Sequence, residues 1–539
     1  MKAILKITKT FVLTPLAVHA VIIAAIMVAG CQTTPPPKPY TAPPDVTQQS
    51  GWPYVFISAS EMAEAIKNRD ISSQELVELH LAHIYLHNPE LNAIVTLDAD
   101  KALKRAAEAD EALAEGEIWG PLHGVPVTIK DHFAVRNMLT TNAYPDTAEQ
   151  VTLFDATIVE RMKDAGAVIL GKTNMPVLAM DFQTDNPLFG KTVNPWDTDR
   201  TPGGSGGGGG AAVAAGLSPI DIGSDIGGSL RIPAHFTGTY SFKPTENTVS
   251  NHGSFPGLID PEKRRIRHMS SIGPIARSIG DLRLAFEIIS GPDGKDPLVT
   301  PVKNDKNNEK SIDSLRIAWS NKFGGVPVDE DTRDVMREFI NSLTDAGATV
   351  VRANPDIHFD SAWTTWGEMF DMQIMAGQPG YMRLYSFVTG WSYRYQTPLH
   401  QMVYPYSTEK HVQILTKRDH MVGSFDRFMS DWDVFICPVA TRPAMEHHPP
   451  DAVRMNMPIY IRSVMVDDHE LNYYTAMAAY AVPFNLTGHP VVTIPAGVTP
   501  EGMPVGLQIV GKRWEDYELL QIAEMIDEII DAHRIPRGY

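Results

Sequence analysis

Apolar positions along the chain fall into two patterns. Short runs bounded by glycine or proline are apolar at most positions: Val125 to Ile129, Ala167 to Leu170, Pro219 to Ile222, Pro490 to Gly497 and Gly506 to Gly511. Runs of this length and composition predict buried strands. Other stretches read as helices. Ser58-Ala59-Ser60-Glu61 and Ser72-Ser73-Gln74-Glu75 match capping boxes, where a serine and a glutamate three residues on satisfy backbone N–H groups reciprocally. Ala102 to Glu115, Thr157 to Ala165 and Tyr517 to Ala532 predict further helices. Helices alternating with short apolar strands predict an α/β fold with both sheet faces covered. Trp363, Trp366 and Phe370 share one helix face, which suits either core packing or the cap of an acyl-binding pocket. The rest of 355–475 follows no simple alternation, and the polar stretch 300–312 predicts a surface loop.

The first residues have a different layout. Lys2, Lys6 and Lys9 precede an apolar run from Phe11 to Val28, and Val28-Ala29-Gly30-Cys31 follows. This is the arrangement of a secretory signal. Small residues before a cysteine resemble the lipobox of bacterial lipoproteins, in which cleavage leaves a lipid-bearing cysteine. Residues 1–30 are read as a signal peptide, and Cys31 as the lipidation site. Residues 31–52, rich in proline, are read as a tether, and 53–539 as the folded domain. The expected location is the cell envelope, on the periplasmic face of the outer membrane, since Gln32 stands where aspartate would favour inner-membrane retention. An uncleaved transmembrane anchor is the alternative. Net charge is −18, with no basic cluster to offset it, so a nucleic-acid partner is not expected. Two cysteines provide neither a disulfide framework nor a zinc set. Cys437, in the apolar run DVFICPVA, reads as a buried, inert thiol.

The chemistry concentrates around RTPGGSGGGGGAAVAAG, Arg200 to Gly216. A flexible linker would join separate domains, but this run leads into a short helix and a strand. Two further patterns fail on context. Gly166 to Thr173 spells a P-loop, yet its interior, Ala-Val-Ile-Leu, favours a buried strand over a phosphate-binding loop. Gly203 to Gly207 spells a hydrolase nucleophile elbow, yet the preceding NPWDTDRTP does not read as a strand. A second serine follows a glycine pair in GSDIGGSLRIP, Gly223 to Pro233. Unobstructed N–H groups there can converge on one oxygen, as an oxyanion hole requires. Ser229 beside such donors is a candidate nucleophile needing a base. None of the 18 histidines occupies an obvious partner motif. Lys130, ending the strand GVPVTIK, is the better candidate, because burial lowers a lysine's pKa until the neutral amine accepts protons.

Taken together, Gly124–Asp131, Gly171–Pro176, Asn194–Asp197, Arg200–Ser205 and Gly223–Ser229 resemble the amidase signature family. Phe484–Gly488 and Pro504–Gln508 extend the match, which covers about 55–535 and is weakest over 300–475. The resemblance implies one large α/β domain, a mixed twisted sheet surrounded by helices. It implies amide hydrolysis through an acyl-enzyme, with Ser229 as nucleophile, Ser205 as a bridging serine after a cis bond to Gly204, and Lys130 as base. Ile226, Gly227 and Gly228, with Ser229, would supply backbone oxyanion donors. Asp225 and Arg231 would pair to hold the nucleophile loop, with two surface charges as the alternative. Met180 and Asp181 would line the substrate pocket, where Asp181 would favour a polar or cationic leaving group, although a solvated or structural role is the preferred reading of Asp181. No cofactor and no metal are implied, and the partner is a small-molecule amide.

Two residues depart from the family pattern. Gly206 stands where many members carry a second serine, and Asp181 where small residues are usual. Two other readings share the fold: a component of a tRNA-dependent amidotransferase, and a non-catalytic binding lipoprotein. The divergent 300–475 region would choose the amide, and neither the substrate nor the oligomeric state follows from the sequence.

Overall fold

The computed structural model describes residues 52–255, 266–303, 310–375, 380, 407–454 and 457–539. The signal segment 1–30, Cys31 and the tether as far as Gly51 lie outside the described residues, as does 304–309 of the expected loop.

The strands are β1 (Ile94–Leu97), β2 (Pro126–Lys130), β3 (Val168–Thr173), β4 (Ile220–Asp225), β5 (Tyr240–Lys243), β6 (Ser271–Ala276), β7 (Arg316–Trp319), β8 (Thr349–Arg352) and β9 (Val434–Pro438). They continue with β10 (Ala452–Arg454), β11 (Met457–Ile459), β12 (Ser463–Val466), β13 (His469–Asn472), β14 (Val491–Val498) and β15 (Pro504–Val510). The helices are α1 (Ala59–Asn68), α2 (Ser73–Leu91), α3 (Ala99–Ala114), α4 (Thr157–Asp164), α5 (Gly207–Ala214), α6 (Arg231–Thr237) and α7 (Ile279–Ile289). After them come α8 (Glu330–Asp345), α9 (Phe359–Met375), α10 (Thr408–Met429), α11 (Tyr473–Ala478), α12 (Val482–Thr487) and α13 (Asp516–Ile530).

Eleven strands form one mixed sheet in the order β1-β3-β2-β4-β6-β5-β14-β15-β9-β7-β8, and β10/β11 and β12/β13 are separate hairpins. Successive strand residues face opposite sides, and both sides are apolar. Val434 and Ile436 of β9 enter the core that packs α1, α4, α7, α8 and α13. Phe435 and Cys437 enter the core that packs α9 to α12. At the β1 end, Val168 and Leu170 of β3 meet α2, α3 and α5. Near-continuous apolar runs are therefore what this sheet requires.

Both capping boxes form, Ser58 with Glu61 and Ser72 with Glu75. The P-loop spelling is a strand: β3 is buried along its length, with Lys172 donating to Asp131 and to the Phe133 carbonyl. No strand precedes Ser205 between residues 195 and 204, so the elbow spelling has no elbow. The glycine stretch is buried throughout 203–216, which removes the linker reading. Its helix starts at Gly207, four residues before the alanines that suggested it. Cys437 is buried, and burial pushes its thiol pKa well up.

Candidate active site

Parallel strands deliver their C-terminal ends to the same edge of a sheet, where α/β proteins place their chemistry. β2 runs parallel to β4, with Thr128 opposite Asp221 and Ile129 opposite Ile222. Lys130 therefore ends its strand beside Ser224 and Asp225. Its Nζ donates to Ser205 Oγ at 2.7 Å and to Ser224 Oγ at 3.3 Å. Burial is complete and pushes the Lys130 pKa down to about 7, against the pull of Asp221 and Asp225. A lysine in this state holds a large neutral fraction near pH 7 and accepts a proton.

Ser205 sits between β3 and β4 in sequence, at the entrance to α5. Its peptide bond to Gly204 is cis. The next residue ties two segments together, since the Gly206 N–H donates to the Ser229 carbonyl at 3.0 Å. A Cβ at position 206 would lie 2.6 Å from that carbonyl oxygen. The absent second serine is thus matched to this backbone, and the extra hydroxyl beside Lys130 belongs to Ser224.

Ser229 lies on the turn from β4 into α6. The turn is built on the Asp225 carboxylate, which accepts the Gly228 N–H at 2.8 Å and the Leu230 N–H at 3.1 Å. Arg231 donates to it from two nitrogens, at 3.0 and 2.9 Å, and both side chains are fully buried. Burial alone would raise the Asp225 pKa, but the Arg231 guanidinium overrides it and holds it well below the usual carboxylate range. Arg231 reaches on to Gln508, Asn485 and the Ala481 carbonyl. The alternative of two surface charges does not apply.

One expected oxyanion donor is corrected. Gly228 gives its N–H to Asp225, because its φ of +120° folds the turn back over that carboxylate. The N–H groups of Ile226, Gly227 and Ser229 have no acceptor among the described residues. They are the donors that remain for a ligand. On the other side of the turn, the Trp366 indole donates to the Ile226 carbonyl at 2.7 Å.

For Asp181 the structure gives the structural alternative, not the pocket role. Its carboxylate is buried and accepts from Tyr460 at 2.5 Å, Tyr473 at 2.7 Å and the Phe182 N–H at 2.7 Å. Burial lifts its pKa to about 6. With both oxygens taken it is not free to meet a substrate cation. Met180 is half-buried, after Leu178 and Ala179 in left-handed conformations of φ 53° and 60°. Sequence reasoning missed Ser224, Tyr460 and Tyr473. Ser224 was inside a quoted motif, one residue from Asp225. The two tyrosines fall in the irregular stretch and carried no local signal. Trp366 was marked by its helix face, but its bond to the oxyanion turn was not.

Fold and site define an α/β enzyme with its chemistry at the strand ends. The chain belongs to the amidase family: the family model described as Amidase matches residues 75–520. It is an amide hydrolase of the amidase signature type. An acylamidase of Rhodococcus erythropolis is 31% identical over 88% of this chain and 95% of that one. An indoleacetamide hydrolase of Bradyrhizobium diazoefficiens is 31% identical over 89% of this chain and 88% of that one. A component of the glutamyl-tRNA(Gln) amidotransferase of Heliobacterium modesticaldum is 30% identical over 88% of this chain and 97% of that one. A solved bacterial aryl acylamidase of the amidase signature family superposes with a TM-score of 0.75 at 26% identity, covering 90% of this chain and 99% of that one.

Proposed function

We propose that this amidase cleaves a carboxamide or N-substituted amide through an acyl-enzyme on Ser229. The observation that carries the reading is the fully buried Lys130 amine, hydrogen-bonded to Ser205 Oγ at 2.7 Å. Neutral Lys130 accepts the Ser205 proton as Ser205 takes that of Ser229. The Ser229 oxygen attacks the amide carbon, and the N–H groups of Ile226, Gly227 and Ser229 receive the oxyanion. Loss of one such donor costs about 100- to 1000-fold in other enzymes. Ser205 returns the proton to the leaving nitrogen as the C–N bond breaks. Water then hydrolyses the ester by the same proton path, releasing carboxylate and free Ser229. Phe182 and Trp366 lie against Gly227 within an apolar cluster, surroundings that favour an apolar acyl group, in line with the acylamidase names among the relatives.

The similarity to an amidotransferase component supports a second reading, in which amide nitrogen is transferred within a complex. The export layout of the first 31 residues argues against it. We further propose that the chain is a lipoprotein held through Cys31 in the cell envelope. The test of the catalytic reading is ammonia or amine release from a panel of amides and anilides by the full-length protein. Ser229→Ala, Ser205→Ala and Lys130→Ala are each expected to abolish it. Activity that survives Ser229→Ala but dies with Ser205→Ala would move the nucleophile to Ser205.

A further inference from the structure

Trp366 lies far from the motifs that carry the chemistry, on helix α9, yet its indole N–H ends on the oxyanion turn. The bond to the Ile226 carbonyl is 2.7 Å long, and the Trp366 side chain is buried. That carbonyl belongs to the same peptide unit as the Gly227 N–H. In a trans peptide the two groups lie in one plane and point in opposite directions. Whatever fixes the carbonyl therefore fixes the N–H.

The fixing matters because this peptide unit has two settings. Rotating it about its long axis changes ψ of Ile226 and φ of Gly227, exchanges the directions of carbonyl and N–H, and leaves the chain path nearly unchanged. A residue with a Cβ at 227 would oppose many such rotations, but glycine allows both. Asp225 holds the N–H groups of Gly228 and Leu230, not that of Gly227. The Gly227 N–H has no acceptor of its own among the described residues. The contact that chooses between the settings is the indole.

The indole is itself held. It stacks between Trp363, at 5.5 Å and 24°, and Phe370, at 5.1 Å and 7°. Nearby on the same helix, Glu368 accepts from Lys410 at 3.0 Å and Lys417 at 2.8 Å, pinning α9 to α10. Gln373 accepts the N–H groups of Arg267 and His268 at 2.7 and 2.8 Å. The ring also covers Gly227 closely, since a Cβ there would lie 3.3 Å from Trp366 Cζ2 and 3.6 Å from Phe182 Cε1.

We infer that Trp366 is a positioning residue for amide hydrolysis: by holding the Ile226 carbonyl it aims the Gly227 N–H at the oxyanion. This rests on the catalytic reading proposed above. It gives α9, part of the divergent 300–475 region, a role in rate as well as in shaping the pocket.

Trp366→Phe keeps an aromatic ring and removes the N–H donor. In the full-length protein, on an amide the wild type turns over, it is expected to lower kcat by about 10- to 100-fold while KM stays within about threefold. Inhibition by a trifluoromethyl ketone carrying the same acyl group, which forms a tetrahedral adduct, weakens by the same factor as kcat. Inhibition by the product carboxylate stays unchanged. Trp319→Phe, at the end of β7 and away from the oxyanion turn, keeps a near wild-type kcat. Trp366→His returns an N–H on a smaller ring, and recovers part of the loss. Thermal unfolding of each variant separates misfolding from misplacement, and the His variant carries the test should the Phe variant be unstable.

A raised KM with wild-type kcat would make Trp366 a pocket wall and overturn the inference. So would a kcat loss without weaker ketone binding. Ser229→Ala, measured alongside, separates the two readings. If it remains active, the catalytic reading falls and this inference with it. If it is inactive while Trp366→Phe turns over normally, the inference falls alone.

Discussion

At the scale of single residues, the proposed mechanism turns on where Lys130 keeps its proton. Burial disfavours the ammonium and lowers its pKa to about 7, and the charges of Asp221 and Asp225 prevent a further fall. Asp221 is buried as well, on the strand beside β2, with its own pKa raised by burial to about 6. On the catalytic reading proposed above, only the neutral amine accepts the Ser205 proton, so the active fraction grows as pH rises. kcat/KM is expected to climb about tenfold per pH unit below about 7 and to level off above it. Asp221→Asn removes a negative charge that favours the ammonium, so the rise should move to lower pH. Lys130→Arg should be inactive at any pH in this range, because a guanidinium stays protonated. A pH–rate profile of the three proteins checks all of this, and a rise unmoved by Asp221→Asn would disconnect it from Lys130. The sign for stability follows from the same shift. Between about 7 and the unfolded lysine's 10.5 the unfolded chain binds more protons, so the burial penalty on Lys130 shrinks as pH rises through that window.

At the scale of elements, helix α5 shows how packing overrules propensity. Four successive glycines open it, each about 1 kcal/mol worse than alanine in an isolated helix. A Cβ at Gly208 would lie 2.3 Å from the Asn174 nitrogen and 2.5 Å from its carbonyl oxygen, both backbone. Propensity predicts that Gly208→Ala stabilises the protein, whereas the close approach to the end of β3 predicts the opposite. The approach wins, because backbone atoms cannot step aside as a side-chain end can. Gly208→Ala should lower the apparent unfolding midpoint by an amount equivalent to at least about 2 kcal/mol. A thermal melt with an unchanged or higher midpoint would contradict this. The same contrast explains what the sequence disclosed. Capping boxes, apolar strand runs and the lysine at a strand end depend on neighbours a few positions away, and they were legible. The glycine start of α5 was not, because its reason lies in the segment after β3. Nor was the Trp366 bond to Ile226, made across 140 positions, or the Tyr473 bond to Asp181, made across 292. For Asp181 the sequence left a pocket role and a structural role open, and only the fold shows the two tyrosines from the irregular stretch that take up its oxygens.

At the scale of the whole molecule, the remaining question is what would hold an enzyme of net charge −18 in the cell envelope. Lipid surfaces rich in anionic headgroups attract clusters of lysine and arginine and repel an acidic protein. The chain has 64 acidic against 46 basic side chains, so electrostatic adsorption works against attachment. Apolar strand faces do not supply an alternative, since the sheet buries them under helices on both sides. We propose that a membrane hold, where there is one, lies in the first 31 residues, by a lipid on Cys31 or by an uncleaved apolar run from Phe11 to Val28. The two differ in what a single substitution does. Cys31→Ser removes the acceptor for lipid and leaves the apolar run intact. Under the lipoprotein reading, wild type should fractionate with membranes, resist a high-salt wash and leave with detergent. The variant should lose the lipid-dependent mass increment and the matching cleavage before residue 31. Amide turnover per molecule should be unchanged to within about twofold, because Cys31 takes no part in the chemistry proposed for Lys130, Ser205 and Ser229. Wild type and variant of equal mass, both membrane-bound, would instead establish the apolar run as the anchor. Wild type found in the soluble fraction would remove the envelope assignment and bring the amidotransferase reading back into contention.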